Sequence, residues 1–317
     1  MDIIEKILAH EELIKSPPVL MDIGASGALH AKWKSIATRS VCIAFDADSR
    51  EMGFVEKKSD TFKKLIVFGK VVTDQASEEI DFFLTKSPFC SSSLEPDIER
   101  LKVWSFQDHF LIEKKVKLKA IRLTEALQEA GIGTIDWFKT DTQGTDLRLF
   151  KSLPEYIRRK VIIAEFEPGI IDAYKGEDKL YEVMQYMDQE GYFMSGIDVK
   201  QAQRLNPEVV NGMSGLHRRA LNKSMTKSPG WAEVCYINPL ATGSFDKRTY
   251  LLTYLFAFVE KQYGFAIEIA NSGYAATQDP YFLELKDRAI RKIKHNNLGW
   301  PRAMVKRAGA KLLSYLG

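Results

Sequence analysis

The stretch that decides the fold is Val19-Leu20-Met21-Asp22-Ile23-Gly24-Ala25-Ser26-Gly27. Its apolar run predicts a strand that ends near the acid Asp22, and its two glycines predict a turn into a helix that starts near Ala28. A second apolar run, over residues 40–45, ends in Asp46. Glycines at a strand-to-helix turn let the backbone approach a ligand closely, and an acid after the next strand can bind ribose hydroxyls. The two runs together predict a site for a nucleoside-containing cofactor.

The sequence of the turn discriminates between two kinds of cofactor. A dinucleotide fingerprint, G-x-G-x-x-G, places glycines and a helix N-terminus around a pyrophosphate. Here Ala25, Ser26 and Gly27 follow Gly24, so the second and third glycines of the fingerprint are missing. The carboxylate of Asp22 would repel a diphosphate but can accept hydrogen bonds from an amino group. S-adenosylmethionine carries an ammonium and a sulfonium but no phosphate, so it fits this turn better than NAD.

Two other functions remain open at this point. An NAD-dependent oxidoreductase is the first alternative, although the missing glycines disfavour it. A non-catalytic nucleoside-binding module is the second, because a fold does not fix a function.

Strands and helices alternate along most of the chain. This alternation predicts an α/β fold with a doubly wound, largely parallel sheet that has helices on both faces. After about residue 240 the pattern changes, and three helices are expected, over residues 247–263, 280–295 and 301–316. We therefore predict an N-terminal helix at 1–17, a cofactor-binding domain at 18–240 and a helical extension at 241–317.

Composition excludes several classes of protein. The net charge is +3, from 45 basic and 42 acidic residues, which gives no sign of a nucleic-acid partner. The three cysteines, Cys42, Cys90 and Cys235, form no zinc pattern, and their odd number favours a reducing compartment. The longest apolar stretch, over residues 250–259, is shorter than the ~20 residues that cross a bilayer. With no secretory signal, we expect a cytoplasmic protein without a transmembrane segment.

The last predicted helix, over residues 301–316, is basic and amphipathic. Such a helix either packs on its own domain or lies on an anionic membrane surface, so peripheral membrane contact is a possible role for it. The sequence predicts nothing about the oligomeric state.

A second group of polar residues lies in Trp137-Phe138-Lys139-Thr140-Asp141-Thr142-Gln143-Gly144-Thr145-Asp146. In open α/β sheets, ligands bind beyond the carboxyl ends of the strands. Asp141 is therefore expected in the same crevice as Asp22 and Asp46. Gly144 would let the chain turn under the cofactor, and Asp146 either serves the site or caps the following helix.

These motifs resemble those of FkbM-type S-adenosylmethionine-dependent methyltransferases. The resemblance rests on residues 22–27, 45–48, 138–144 and 165–168, with further similarity at 90–96 and 191–194. It spans about residues 18–238, and the segment 138–144 is its most specific part. Two positions depart from the family pattern, since Asp146 stands where glutamate is usual and Ala47 where proline is common.

The resemblance implies a class I, Rossmann-like methyltransferase fold. It also implies methylation of a hydroxyl on a small-molecule or glycan acceptor, such as a sugar or a secondary metabolite. In that family the first motif surrounds the methionine part of the donor, and the acid after the second strand binds its ribose. The predicted donor site comprises Asp22, Gly24, Ala25, Ser26, Gly27, Asp46, Ala47, Thr73, Asp74, Ser93, Asp141 and Gln143.

An alcohol must lose its proton as it attacks, so a general base is expected near the donor. The predicted catalytic residues are Asp141, Glu165 and Lys139. An ion pair between Glu165 and Lys139 is the alternative to catalytic roles for both. The other possible bases are His30, His109 and His217.

A divalent metal is a further possible cofactor. Some O-methyltransferases bind a cation through carboxylates, and Asp141, Glu165 and Glu167 could supply oxygen ligands. No ligand motif supports this possibility, so no metal site is predicted.

Overall fold

The computed structural model describes residues 2–24, 30–46 and 61–297. The chain divides into two compact units, Pro17–Thr242 on the one hand and Met1–Ser16 with Gly243–Gly317 on the other. The predicted helix start near Ala28 and the predicted basic helix at 301–316 lie outside the described residues, as does most of the helix-like segment that follows Asp46 in the sequence.

The larger unit is built on two sheets. Its described strands are β1 (Val19–Ile23), β2 (Val41–Phe45), β3 (Lys64–Phe68), β4 (Val71–Val72), β5 (Glu79–Thr85), β6 (Ile112–Ile121), β7 (Trp137–Thr140), β8 (Ile163–Phe166), β9 (Phe193–Ala202) and β10 (Ser228–Ile237).

Both units contain helices. The described ones are α1 (Ile3–Leu8), α2 (Glu11–Lys15), α3 (Ile98–Leu101), α4 (Leu123–Ala130), α5 (Asp146–Ser152), α6 (Glu155–Arg158), α7 (Leu180–Gln189), α8 (Pro207–Asn211), α9 (Gly215–Ser224), α10 (Lys247–Val259), α11 (Tyr263–Thr277) and α12 (Tyr281–Asn297). Short 3-10 helices lie at Ala31–Ser35, Ala37–Arg39, Pro88–Cys90 and Gln107–Phe110.

The main sheet has seven strands in the order β3-β2-β1-β7-β8-β10-β9. Strands β3, β2, β1, β7 and β8 are parallel, and β10 is antiparallel to both of its neighbours. All five residues of β1 are buried, as expected of a central parallel strand that is covered on both faces. A second sheet has three strands in the order β4-β6-β5. The predicted α/β sheet is confirmed.

One face of the main sheet carries the larger apolar core. Met21 of β1 and Phe138 of β7 are register partners, and both are fully buried with residues of α4, α5 and α7. Phe150 of α5 packs edge-on against Phe138 and Phe166, with ring centroids 5.2 and 5.4 Å apart. Burial of each such ring stabilises the fold by about 1.5–3 kcal/mol. This core fixes the ends of β7 and β8, which carry the acidic residues described below.

Three elements differ from the sequence-based expectation. The sequence over residues 146–159 favours a single helix, but the structure has two, because Pro154 lacks a backbone N–H and clashes with the preceding turn. The N-terminal helix is also two, since the His10 side chain accepts a hydrogen bond from the Glu12 N–H and begins α2. The apolar runs at residues 192–194 and 232–237 favour two short strands, but the structure has a longer antiparallel pair, β9 and β10.

The smaller unit contains a helix that was not predicted from the sequence. Helix α11, Tyr263–Thr277, packs through Gly273 against Phe282 of α12, and a Cβ at position 273 would lie 2.5 Å from that ring. Most of α10 is buried on all sides. No helix within the described residues is long and apolar enough to cross a membrane.

Candidate active site

A cavity of about 440 Å³ lies at the carboxyl ends of the parallel strands in the larger unit. The strand-end residues that line it are Ile23, Gly24, Phe45, Asp46, Asp141 and Glu167. The remainder of the lining comes from Lys70, β4, Phe82 of β5 and loops at residues 88–110, 142–145 and 169–177, together with Gly230 and Trp231. The position agrees with the rule that ligands of open α/β sheets bind beyond the strand ends.

Gly24 joins three strand ends at the floor of the cavity. Its N–H donates to the Phe45 carbonyl at 3.1 Å, and the Asp141 N–H donates to the Ile23 carbonyl at 2.9 Å. Gly24 has φ +84°, and a Cβ at this position would lie 2.0 Å from the Asp141 carbonyl oxygen. Only glycine combines that backbone conformation with so close an approach.

Asp46 directly follows β2 and lines the same cavity. Its N–H donates to the Phe68 carbonyl of β3 at 3.2 Å, which fixes the backbone at this strand end. Asp46 and Gly24 therefore lie where the sequence predicted them. Ala25, Ser26, Gly27 and Ala47 of the predicted donor site lie outside the described residues.

Asp141 and Glu167 follow the adjacent strands β7 and β8, and their side chains are hydrogen-bonded to each other. A hydrogen bond between two carboxyl groups requires a proton on one of them. The Gln143 amide nitrogen donates to Asp141 Oδ1 at 2.7 Å. The Tyr174 hydroxyl shares its single proton between the Cys90 carbonyl (2.8 Å) and Gln143 Oε1 (3.1 Å). The bond between the two carboxyls raises the pKa of Glu167 and lowers that of Asp141, so Glu167 holds the proton and Asp141 is the acceptor.

Burial determines the protonation of this carboxyl pair. It raises the pKa of Glu167 to about 9, with the Asp141 charge as the next cause. Burial also raises the pKa of Asp141, while Lys139 and the bond from Gln143 oppose that rise. Two adjacent buried carboxyls titrate as a unit, and near neutral pH the pair holds one proton and one negative charge.

Asp146 fixes the backbone around the carboxyl pair. Its buried carboxylate accepts four hydrogen bonds, from the Thr140 hydroxyl (2.9 Å), the Thr142 N–H (2.9 Å) and hydroxyl (2.6 Å), and the Glu167 N–H (3.1 Å). It is the first residue of α5, and Thr145 precedes it as the N-cap. Asp146 thereby ties the loop after β7 to the end of β8.

Asp146→Asn is expected to lower the free energy of unfolding by about 2–4 kcal/mol, because an amide nitrogen would face buried N–H or O–H donors. Urea unfolding followed by circular dichroism measures this loss. Asp198→Asn is the control, since Asp198 pairs with Lys200 at 2.6 Å while its side chain is 67% exposed. Equal losses in the two variants would contradict the bridging role of Asp146.

The predicted residues Asp22, Lys139 and Glu165 lie on the other face of the sheet and do not line the cavity. They are register partners on β1, β7 and β8, so their side chains form one row. Lys139 Nζ pairs with Asp22 Oδ1 at 2.7 Å, and Glu165 Oε2 pairs with Lys32 Nζ at 2.8 Å. The Trp137 indole donates to Glu165 Oε1 at 2.7 Å. The ion pair between Lys139 and Glu165, which was the alternative to catalytic roles, is not formed; each residue pairs with another partner.

Glu167 was considered from the sequence only as a metal ligand. Strand β8 ends at Phe166 and Pro168 follows, so Glu167 leaves the ladder and enters the cavity while Glu165 stays in the strand. The Glu167-Pro168 dipeptide was the available signal. Of the three carboxylates considered as metal ligands, Asp141 and Glu167 line the cavity, whereas Glu165 does not. Among the residues that the structure describes, no group of three His, Cys, Asp or Glu side chains could hold a metal ion.

Of the three other predicted donor residues, one lines the cavity and two lie beside it. Thr73 and Asp74 line a second cavity of about 330 Å³, and Ser93 lines both cavities. The Thr73 hydroxyl accepts a hydrogen bond from the Gln75 N–H at 3.1 Å, which shapes the turn after β4. The second cavity adjoins the first through Val72 and Thr145.

The histidines considered as bases are dispersed. His109 lines the cavity. His30 lies on the other face of the sheet, with its ring centroid 5.5 Å from that of Trp33, and burial lowers its pKa. His217 lies on the exposed helix α9, where Nδ1 is 2.9 Å from the Ser214 hydroxyl.

Aromatic rings form one wall of the cavity, which the sequence did not predict. Phe106 packs against Trp231 (6.3 Å between centroids) and Phe110 (5.6 Å), and Phe110 packs against Tyr174 (5.5 Å). A small separate core around Leu101 supports these rings. We call Phe106, Phe110, Tyr174 and Trp231 the aromatic wall.

Comparison with known protein families identifies the class. Residues 72–194 match the model of the methyltransferase FkbM domain, a segment that includes both members of the carboxyl pair. Searches of curated proteins and of solved structures gave no significant match. The seven-stranded sheet and this domain define a Rossmann-like methyltransferase. This match confirms the resemblance to FkbM-type methyltransferases noted from the sequence.

Proposed function

We propose that this protein transfers a methyl group from S-adenosylmethionine to a hydroxyl of a small-molecule or glycan acceptor. The observation that carries the proposal is that Gly24, Asp46 and the carboxyl pair line one cavity in a chain with an FkbM domain. A sugar, a glycan or a secondary metabolite is the proposed acceptor class, and the proposed location is the cytoplasm.

The residues at the floor of the cavity fit the donor. The absence of a side chain at Gly24 lets the ends of β1 and β7 approach each other at the floor of the cavity, and Asp46 offers a carboxylate to ribose hydroxyls. Acidic groups around this end favour a cofactor with positive charge and no phosphate. When bound, S-adenosylmethionine supplies an electrophilic methyl group on a sulfonium. We assign Gly24 and Asp46 to the donor, with Gln143 holding Asp141 beside it.

Asp141 is the proposed general base. Its carboxylate accepts hydrogen bonds from Gln143 and from the protonated Glu167, which fix its position. In the transfer, the acceptor oxygen would give its proton to this carboxylate as the oxygen–methyl bond forms and the sulfur–methyl bond breaks, with S-adenosylhomocysteine as the leaving group. Holding the reacting oxygen in line and excluding water supplies most of the rate enhancement, and a general base adds about 10²–10⁴-fold.

The row of Asp22, Lys139 and Glu165 is assigned to positioning. Although burial alone would lower the pKa of Lys139, the neighbouring carboxylates of Asp22 and Asp141 raise it, so its ammonium stays charged. The charged ammonium of Lys139, which lies on β7, lowers the pKa of Asp141 and so favours its carboxylate form. Lys139 and Glu165 thus do not contact the reacting atoms, and we assign them to holding β7 and β8, the strands that precede Asp141 and Glu167, in place.

Asp46→Ala is expected to weaken binding of S-adenosylhomocysteine by roughly 10–100-fold, because a charge-assisted hydrogen bond contributes about 1.5–3 kcal/mol. Isothermal titration calorimetry measures this change. Asp188→Ala, on the exposed side of α7, is the matched control and should bind as the wild type does. Unchanged affinity in Asp46→Ala would remove Asp46 from the donor site.

A further inference from the structure

Phe89 is an exposed aromatic ring that lines the candidate active site. It is 63% exposed and lies in the 3-10 helix Pro88–Cys90. The Tyr174 hydroxyl donates to the carbonyl of the next residue, Cys90, at 2.8 Å, so the backbone at this point is tied to the aromatic wall. A large apolar ring on a fixed backbone, at the mouth of a cavity, offers its face to a ligand.

Phe89 lines the same cavity as a row of aromatic rings that runs from Tyr174 to Trp231. Ring contacts connect Tyr174 through Phe110 and Phe106 to Trp231, which is half-buried. Tyr174 also hydrogen-bonds Gln143, the residue that holds the proposed base. A molecule that lies on this surface is therefore adjacent to the group that would accept its proton.

Charge restricts what can bind there. Within the described part of the lining, the acidic side chains outnumber the basic ones, with Asp46, Asp141, Glu167 and Glu177 against Lys70 and His109. Lys70 already pairs with Glu129 at 3.3 Å. Glu177 is almost fully buried and pairs with Lys179 at 2.7 Å. Phosphate and carboxylate ligands are normally held by arginine or lysine forks, and the lining described here offers carboxylates instead.

We infer that the acceptor is an uncharged ring compound whose flat face lies against Phe89 and Trp231, with its hydroxyl directed at Asp141. This inference rests on the proposed function and adds to it the charge of the acceptor and two specificity residues. A sugar ring, through its C–H face, and a planar aromatic ring share the required chemistry, because both present an apolar face that packs on an aromatic side chain.

The test uses the full chain saturated with S-adenosylhomocysteine. Three probes are titrated and followed by saturation-transfer NMR: methyl rhamnopyranoside, catechol and glucose 6-phosphate. At least one neutral ring is expected to bind the wild type more tightly than glucose 6-phosphate does. That probe should bind roughly tenfold more weakly to Phe89→Ala and to Trp231→Ala, because each substitution removes an aromatic ring that contacts the ligand. Trp231→Phe, which keeps a ring on the wall, should restore most of the affinity.

Tyr156→Ala is the control, since Tyr156 is a similarly exposed aromatic residue (68%) that does not line the cavity. It should bind the neutral probe as the wild type does. The inference is overturned if neither neutral ring binds the wild type, if glucose 6-phosphate binds best, or if Phe89→Ala and Trp231→Ala retain full affinity. Affinity for S-adenosylhomocysteine is measured on the same samples. Its absence in the wild type would refute the proposed function itself, whereas retained donor binding with any of the other results refutes only the acceptor assignment.

Discussion

Asp141→Asn is expected to lower kcat by roughly 10²–10⁴-fold while the affinity for S-adenosylhomocysteine stays within about threefold of the wild type. The asparagine amide keeps a similar size and can still bond to Gln143 and Glu167, but it cannot take a proton. Turnover with a methyl acceptor and calorimetry with the donor product separate the two quantities. A large loss of donor affinity without a selective loss of kcat would place Asp141 in the donor site and leave the base unassigned.

Glu167→Gln is the matched comparison, because a glutamine amide can replace the O–H that donates to Asp141. A loss of only about tenfold in kcat is expected. Glu167, with its pKa raised to about 9, stays protonated below that pH in the wild type. Above it, two adjacent carboxylates repel each other, so kcat/KM should fall as the pH rises through about 9. Glu167→Gln should lack this falling limb.

The same proton affects stability. In the unfolded chain a glutamate loses its proton near pH 4.3, whereas folded Glu167 keeps its own up to about pH 9. The folded state therefore binds more protons between these values, and the free energy of unfolding decreases as the pH rises through that window. Denaturant unfolding at several pH values should show a steeper decrease for the wild type than for Glu167→Gln. Parallel curves would mean that Glu167 is ionised at neutral pH.

Gly24→Ala is expected to lower the free energy of unfolding by about 3 kcal/mol or more and to weaken donor binding by roughly 100-fold. The added Cβ would lie 2.0 Å from the Asp141 carbonyl oxygen, at a φ of +84°. Relief of that overlap must move the end of β1 or of β7, and both carry cavity residues. Urea unfolding and calorimetry with S-adenosylhomocysteine measure the two effects.

Gly131→Ala separates the close approach from the backbone conformation. Gly131 ends α4 with φ +68°, and a Cβ there would have no atom within 4 Å. Its cost should be about 1–2 kcal/mol, that of a non-glycine residue in the left-handed region, with donor affinity unchanged. If the two alanine variants lose the same stability and bind the donor equally, the contact between Gly24 and Asp141 has no functional importance.

The sequence predicted the ends of the strands well and the direction of individual side chains poorly. Gly24, Asp46 and Asp141 were expected together, and the structure brings them to one cavity because each follows or ends a parallel strand. Asp22 was expected with them, yet it lies inside β1, where alternate side chains face opposite sides. A shift of one residue in the predicted strand end moves a side chain to the other face.

The same uncertainty about where a strand ends explains the choice of Glu165 over Glu167. Only the end of β8 at Phe166 distinguishes a residue held in the ladder from one released into the cavity. The aromatic wall could not be predicted for a different reason. Phe106, Tyr174 and Trp231 come from three distant segments, and no local pattern in the sequence relates them.

The most direct measurement compares the thermal unfolding of the wild-type chain with S-adenosylhomocysteine and with NAD. The account predicts that S-adenosylhomocysteine raises the midpoint by several degrees in proportion to its binding, that NAD leaves it unchanged, and that Asp46→Ala loses most of the shift. Stabilisation by NAD, or no stabilisation by S-adenosylhomocysteine, would contradict the proposal that this cavity holds a methyl donor.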